Sequence, residues 1–575
     1  MYIVYYILYT FMCGIWSLIG ECSQEDIQKG FEDFMKIKHR GPMFSNFQVY
    51  DNVLLGFHRL SIMDTSFQSN QPYVSKNLVF VCNGEIYNYK ELNLKYNLKI
   101  TGKSDCLSLF HLYKEYDFTT FLSLIAEVQG EFAFILLEFD EETNKLQTVV
   151  AGRDPVGIRP LYYGKNNHKE GSHQHPQLIF SSEIKACSFF GGKLSEFPPG
   201  HVVRFDFRHK PMERTSHEFT TLYKMKPTST WSLTSDIERE KVFLEDIREA
   251  VMKSVRRRLV SDQPIAFLLS GGVDSSLVAA LSAKIIRKEF ITDRRIHEIK
   301  IKTFCCGLLG EGGQRGSDLE YAKKVAYYID SDHTEVLFTA QQALDAIDDV
   351  IYTTETWDVT TIRASVGQYL VSKYIAEHTD AKVLFVGEGP DEVCSSYLFN
   401  WYAPDPKKIH PTAEEYVKKI HYYDVKRADR CIARWGLEAR VALLDPEFIE
   451  SYWRVPSEWR DPKYKGIEKY WLRKAFEADH DLPLEVLWRK KEAFSDGISS
   501  LEKSWFEIIQ EHIQNTYGVS EKEYYRNKFI ALFGERRLGI IPGYWQPKWD
   551  KDGNETNEYV DPSARTLDIY HALSK

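Results

Sequence analysis

No Cys-x-x-Cys pair occurs anywhere in the 575 residues, and with it goes the usual signature of a zinc or dithiol site. The nine cysteines are odd in number and scattered, at 13, 22, 82, 106, 187, 305, 306, 394 and 431. A disulfide framework is not expected, and a reducing compartment, the cytoplasm, fits better. A basic stripe is also missing. Net charge is −9, and the one compact basic run, Arg256-Arg257-Arg258, falls in a helical pattern and reads as a solvated helix end. Without clustered Lys and Arg to displace phosphate counterions, nucleic-acid binding is not expected. The first twenty residues carry no charge at all. That length could span a bilayer. No basic residue precedes the apolar run, however, and no Ala-x-Ala site follows it, so neither a secretory signal nor a membrane anchor is expected. His168, His173 and His175 sit in a polar, Gly-containing stretch and read as a solvated loop. No internal repeat is visible.

What is there is an ordinary globular composition, 43% hydrophobic and 27% charged, long enough for two to four domains. Residues 13–207 hold many short β-branched or aromatic runs: GIWSLIG, LVFVCNG, FAFILLEF, TVVAG, LYYG, LIFSS and VVRFDF. Each is bounded by Gly, Asn, Asp or charge, which predicts packed antiparallel sheets. Helices are expected at Asp33 to Lys38 and Ser104 to Tyr113. Residues 208–238 are polar with two prolines and read as a linker. From 239 the rhythm changes. Phe243, Ile247, Val251 and Val255 recur at helical spacing. Strand-like runs (PIAFLL, IKTFCCGL, TEVLFT, KVLFVG) then alternate with helical ones, which predicts a parallel sheet covered by helices. Residues 413–540 read as mainly helical, and 541–575 as an irregular tail.

The first chemical signal is Met12-Cys13-Gly14-Ile15. With Met12 removed, Cys13 would carry its own base, because an α-amino group of pKa about 7.7–8 can take the thiol proton. MCGI alone would equally fit a buried structural cysteine. It is followed in order by His39-Arg40-Gly41-Pro42, Gly56-Phe57-His58-Arg59-Leu60, Asn83-Gly84-Glu85-Ile86-Tyr87-Asn88 and Gly102-Lys103-Ser104-Asp105. This series resembles the class II glutamine amidotransferases, the N-terminal-nucleophile family, over nearly all of 13–207. The resemblance implies an αββα sandwich with Cys13 as nucleophile and the Asn83 amide and Gly84 N–H as oxyanion hole. It further implies Arg59 on the glutamine carboxylate, Glu85 and Asp105 on its ammonium, and Leu60, Ser61, Ile62 and Met63 lining the pocket. The family usually reads HRGPD where this chain has Met43, a change expected to alter loop packing. The resemblance also makes GIWSLIG a core strand. Residues 1–12 are then an extension or processed leader that must go before Cys13 gains a free amine.

In the second half, Leu269-Ser270-Gly271-Gly272-Val273-Asp274-Ser275-Ser276 lies between a strand and a helix. Backbone N–H groups at such a turn form a phosphate nest. SGGxDS resembles the pyrophosphate loop of ATP pyrophosphatases. Val386-Gly387-Glu388-Gly389-Pro390-Asp391-Glu392 ends another strand, where ligands of parallel sheets bind. Together with ETWD at 355–358, RAS at 363–365, RADR at 427–430, WRKKEAFSDG at 488–497 and DPSARTL at 561–567, the set resembles the glutamine-hydrolysing asparagine synthetase family over essentially 12–575. The resemblance implies that Leu269, Ser270, Gly271, Gly272, Asp274, Ser275, Cys306, Val386 and Gly387 border ATP, and that Asp274 and Asp391 hold Mg²⁺. It makes Lys491 the stabiliser of phosphate charge and Glu388 the base that deprotonates attacking ammonia. Cys306 stands where an aliphatic residue is usual. Pro390 replaces a Ser or Ala and removes one backbone donor. Ser395-Ser396 replaces a Gly-containing pair, and RVPFLD reads Arg440-Val441-Ala442-Leu443-Leu444-Asp445.

The resulting expectation is ATP-dependent synthesis of asparagine from glutamine and aspartate through β-aspartyl-AMP. A homodimer is one assembly this leaves open. Two other readings stand beside it: a related amidotransferase acting on another carboxylate, and a non-catalytic or regulatory protein of the same fold.

Overall fold

The computed structural model describes residues 13–166, 177–209, 212–220, 222, 235–289, 300–310, 316–491, 497–499 and 503–573. The extension at 1–12, the three-histidine stretch, most of the linker and part of the 488–497 motif lie outside the described residues.

The amino-terminal half is two six-stranded sheets, each antiparallel throughout. Their strands are β1 (Gly14–Ile19), β2 (Phe44–Tyr50), β3 (Val53–Arg59), β4 (Tyr73–Ser75), β5 (Leu78–Ile86), β6 (Gly130–Phe139), β7 (Leu146–Arg153), β8 (Tyr162–Asn166), β9 (Gln177–Ser181), β10 (Lys193–Glu196), β11 (His201–Asp206) and β12 (Glu213–Glu218). The sheet orders are β10-β8-β9-β1-β3-β2 and β12-β11-β7-β6-β5-β4. Side chains alternate between two cores, as the strand period requires. Ile15 and Ile19 of β1 meet Val79, Val81 and Ile135 of the second sheet, while Trp16 and Leu18 face Phe34 of an outer helix. Phe80, Cys82 and Phe134 point the other way, under the helix Cys106–Glu115. Burial on both faces explains why GIWSLIG is an unbroken apolar run without crossing a membrane. Among the described residues no helix is long and apolar enough to cross one.

Two local expectations change. The first helix runs Gln24–Met35, because Ser23 and Asp26 close a capping box at its start, and it stops before Lys38. Within the polar 208–238 stretch, Glu213–Glu218 pairs with β11 as an edge strand whose side chains are mostly exposed.

The second half is built on a parallel five-stranded sheet in the order β15-β14-β13-β16-β17. Its strands are β13 (Ile265–Leu268), β14 (Lys302–Leu309), β15 (Asp332–Thr339), β16 (Val383–Val386) and β17 (Glu438–Val441). Helices Val273–Glu289, Ser317–Tyr328 and Val359–His378 supply the crossovers. From β13 the chain goes first to one side and later to the other, so the β13/β16 boundary is the switch point at which such sheets bind ligands. The loops 269–275 and 387–391 leave those two strand ends.

Candidate active sites

Cys13 leads straight into β1 and is half-buried. Its Sγ lies 3.4 Å from the Leu60 N–H and 3.5 Å from the Leu60 carbonyl oxygen. Burial pushes the thiol up to about 12, so it stays protonated at neutral pH until a base acts on it. In β5 the buried Asn83 Nδ2 has no hydrogen-bond partner among the described residues. A buried orphan donor is costly, and such a group is free to meet an acceptor that forms during a reaction. The next residue must be glycine. Gly84 has φ of +151°, and a Cβ there would lie 2.1 Å from the Glu131 carbonyl oxygen.

Leu60 to Met63 form the loop after β3, and that loop is latched from two sides. The Ser61 N–H donates to the Met43 thioether at 3.2 Å, so Met43 is itself part of the loop packing. From the other half of the chain, Asp262 accepts the Asp64 N–H at 2.8 Å and donates its own N–H to the Ile62 carbonyl at 3.1 Å. Arg59 does not stand as an open fork. Its Nη1 binds the Ser66 carbonyl at 2.7 Å and Asn70 Oδ1 at 2.6 Å, and its Nη2 binds the Asp64 carbonyl. Asp105 accepts the Ile86 N–H at 2.5 Å, and burial raises its carboxyl to about 6. Glu85 is also raised, by burial and then by the Asp105 charge, with Arg440 3.7 Å away.

The second centre is a cleft of ≈ 1060 Å³, counted to its open mouth, over the switch point. Ser270, Gly272 and Ser275 tie the first loop into a tight turn: Ser275 Oγ accepts the Ser270 N–H at 3.0 Å, and Ser270 Oγ accepts the Gly272 N–H at 3.3 Å. Gly271 has φ of +73° and lies against Tyr321 and Ala322, with no room for a side chain. Leu269, Cys306 and Gly387 line the cleft, while Val386 lies buried at the end of β16. Burial pushes the Cys306 thiol up to about 12, so it behaves there as a small apolar side chain.

Asp274 and Asp391 converge on one cation that the motifs did not announce. Lys469 Nζ is 2.5 Å from Asp274 and 2.6 Å from Asp391. Lys491 also contacts Asp391. Asp274 Oδ1 is buried with no hydrogen-bond partner among the described residues. Lys469 has a left-handed φ of 58° and is almost fully buried, a placement that no spacing rule reveals. Glu388 accepts from Gln368 Nε2 and from Arg427 Nη1, each at 2.9 Å. Burial raises its carboxyl above the ordinary range, against the pull of Arg427. Pro390 occupies the first position of a short helix, Pro390–Val393, where the missing N–H has no intrahelical partner to lose. Gly389 before it has φ of +108°, and a Cβ would meet Leu444 at 2.4 Å. Gly389→Ala is therefore expected to destabilise the fold by about 2–3 kcal/mol, seen as a lower urea midpoint with unchanged slope.

The halves share one buried set of ion pairs. Arg258 bridges Glu131 at 2.8 Å and Asp445 at 2.7 Å. Arg159 reaches Glu131 at 3.2 Å and Glu438 at 3.5 Å. Comparison with known proteins matches the same two halves. A glutamine amidotransferase domain model covers residues 12–243, and an asparagine synthase model covers 246–412 and 403–552. Asparagine synthetase [glutamine-hydrolyzing] of Cricetulus griseus is 38% identical across 98% of this chain and 100% of its own length. The chain belongs to the glutamine-hydrolysing asparagine synthetase family. The Homo sapiens and Bos taurus members are each 37% identical, again over 98% of this chain and 100% of theirs. A solved NMN synthetase from Francisella tularensis covers 54% of the chain at 12% identity and a TM-score of 0.22, too loose a superposition to bear on the fold. Met43 and Pro390 each have a defined local place, the first accepting the Ser61 N–H and the second opening a short helix.

Proposed function

We propose that the protein hydrolyses glutamine at Cys13 and uses the ammonia, with ATP, to convert aspartate to asparagine. The observation that carries this is the pairing of two sites in one chain: a thiol at the head of β1, latched on the Leu60 backbone, and a two-loop cleft lined by Glu388. The domains follow as a glutaminase over 13–207 and a synthetase over 239–540.

Once its amine is free, Cys13 passes its thiol proton to that amine and attacks the glutamine amide carbon. Asn83 Nδ2 and the Gly84 N–H receive the developing oxyanion. Ammonia leaves, and water then cleaves the thioester to glutamate. In the second centre an oxygen of the aspartate side-chain carboxylate attacks the α-phosphorus of ATP and expels pyrophosphate, whose charge Lys469 and Lys491 face. Ammonia attacks the carbonyl carbon of the mixed anhydride, gives its proton to Glu388, and expels AMP. Two convergent carboxylates, one with an unpartnered oxygen, suit Mg²⁺, which takes one or two carboxylates plus phosphate oxygens. Asp274 and Asp391 would hold it, and it would neutralise phosphate charge there. Nine free thiols fit a cytoplasmic setting.

The decisive experiment supplies amide-¹⁵N glutamine, aspartate and Mg-ATP to protein beginning at Cys13. Label in the asparagine side chain and one AMP per asparagine are expected; label confined to free ammonia, or ADP in place of AMP, would refute the proposal. Asn83→Ala should lower glutaminase kcat by about 10²–10³ with little change in KM, measured by glutamate release. Asp105 must be ionised to hold the substrate ammonium. Its carboxyl is raised to about 6, so the glutamine KM should rise roughly tenfold per pH unit below that value and level off above it.

A further inference from the structure

The helix Asp424–Ala433 lies between the two centres and is buried along nearly its whole length. Arg427 and Asp429 are two residues apart on it, and so point about 200° apart around its axis. One face therefore serves each site. On one side Arg427 holds Glu388 at 2.9 Å and Gln368 Oε1 at 3.0 Å. On the other, Asp429 accepts both arms of the fully buried Arg40, at 2.8 and 2.9 Å. Arg40 Nε in turn donates to the Cys13 carbonyl at 3.1 Å, and its Nη1 also reaches Glu183 at 2.7 Å.

The nucleophile's backbone is thus held by a side chain whose fork closes on the other half of the chain. Cys13 needs such an anchor. The residues before it must be absent for it to act, so nothing on its amino side can position it. The pair is planar and two-pronged, which sets orientation as well as distance. We propose that Asp429 is a positioning residue of the glutaminase centre, acting through Arg40, and that its helix carries the state of the synthetase site to Cys13. A ligand that draws Arg427 away from its present contacts with Glu388 and Gln368 would turn or shift a packed helix, and Asp429 moves with it. This rests on the two-centre reading above.

The test is Asp429→Asn, which keeps the size and one acceptor but loses the charged fork, with Asp429→Glu as conservative partner. Both are made in the chain starting at Cys13. Glutamate release is followed with and without ATP plus aspartate, and asparagine formation is followed from ammonium. In Asp429→Asn, glutaminase kcat should fall by about tenfold with KM unchanged within twofold, since a misplaced nucleophile costs rate more than binding. Ammonia-dependent synthesis should stay within about twofold of the parent, and Asp429→Glu should restore most of the glutaminase rate. In the parent, ATP plus aspartate should change glutaminase kcat, and in Asp429→Asn that response should vanish. Parental glutaminase in Asp429→Asn, parallel loss of both activities, or a parent indifferent to ATP plus aspartate would each overturn the proposal. A parent that neither releases glutamate nor makes asparagine would instead strike the two-centre reading itself.

Discussion

Cys13→Ala should abolish glutamine-dependent asparagine formation and leave the ammonia-dependent reaction near the parental rate. Removal of a covalent nucleophile typically costs at least about 10³-fold, or some 4 kcal/mol of barrier. Nothing nearby can replace it. Cys82 is buried in the second sheet and Cys106 at the start of the helix over it, and the hydrogen bond with Cys82, together with burial, raises the Cys106 thiol well above its usual range. The thiol of Cys13 is itself held up at about 12, so the reaction depends on a base within reach. His39 and His58 are the nearby imidazoles in sequence, but both are lowered by burial, and His58 is engaged by Ser45 at 2.8 Å and the Phe34 carbonyl at 3.0 Å. In the proposed mechanism that base is the α-amine. The same result is therefore expected for unaltered Cys13 whenever residues 1–12 remain attached: synthesis from ammonium, none from glutamine. Measuring both nitrogen sources on the Ala variant and on the full-length chain, beside a chain starting at Cys13, checks both statements. Loss of the ammonia reaction in Cys13→Ala would mean that the thiol holds up the structure rather than performing chemistry. That outcome is not expected, because among the described residues the side chain's polar contacts are only to Leu60.

How much of this was legible in the sequence follows from where each signal comes from. Runs buried on both faces, such as GIWSLIG and KVLFVG, announce themselves by composition. The β2–β3 hairpin did not, because β2 is an edge strand carrying Ser45, Asn46 and Gln48 on half-exposed faces. β17 was hidden for a different reason. Its Glu438 and Arg440 are buried, but they pair with each other at 3.0 Å, so the strand needs no apolar run. Loop chemistry was readable wherever backbone geometry demands a residue type: Gly84, Gly271 and Gly389 each sit at positive φ against a neighbour that excludes a Cβ. Long side chains that travel were not readable. Lys469 reaches Asp274 across 195 residues, and Arg40 reaches Asp429 across 389. Arg59 was legible as a cation in the right loop, but not as one already tied to Asn70 and Ser66. Binding a carboxylate there requires those loop contacts to yield or to share the guanidinium.

Glu388→Gln should separate the two steps of the synthetase centre. Activation of aspartate needs the 269–275 loop and the lysines Lys469 and Lys491, whereas the Glu388 side chain is held by Gln368 and Arg427. Capture by ammonia needs a proton acceptor where the nitrogen arrives. Isotope exchange between pyrophosphate and ATP in the presence of aspartate should therefore persist within a few-fold, while asparagine formation from either nitrogen source falls by about 10²–10⁴. The amide keeps one oxygen for Gln368 and Arg427, so loss of folding is not the expected route. The sign of the pH effect follows from burial. The Glu388 carboxyl is raised above its ordinary value, and only its deprotonated form accepts a proton. In the parent, synthesis at constant free NH₃ should fall as pH drops through that raised value, on a limb displaced upward from the usual carboxylate range. Above it the rate should be flat. The variant should lack this limb and run at one low rate across it. Stability moves the other way. A carboxyl whose folded pKa is raised costs stability once ionised, so that cost is present above the folded value and disappears below the unfolded one. At neutral pH the Gln variant should accordingly melt no lower than the parent by more than a few degrees. Equal loss of exchange and synthesis, or an unchanged acid limb, would move the proton acceptor elsewhere in the cleft, to a carboxylate such as Asp424, which also lines it and contacts Arg427 at 3.2 Å.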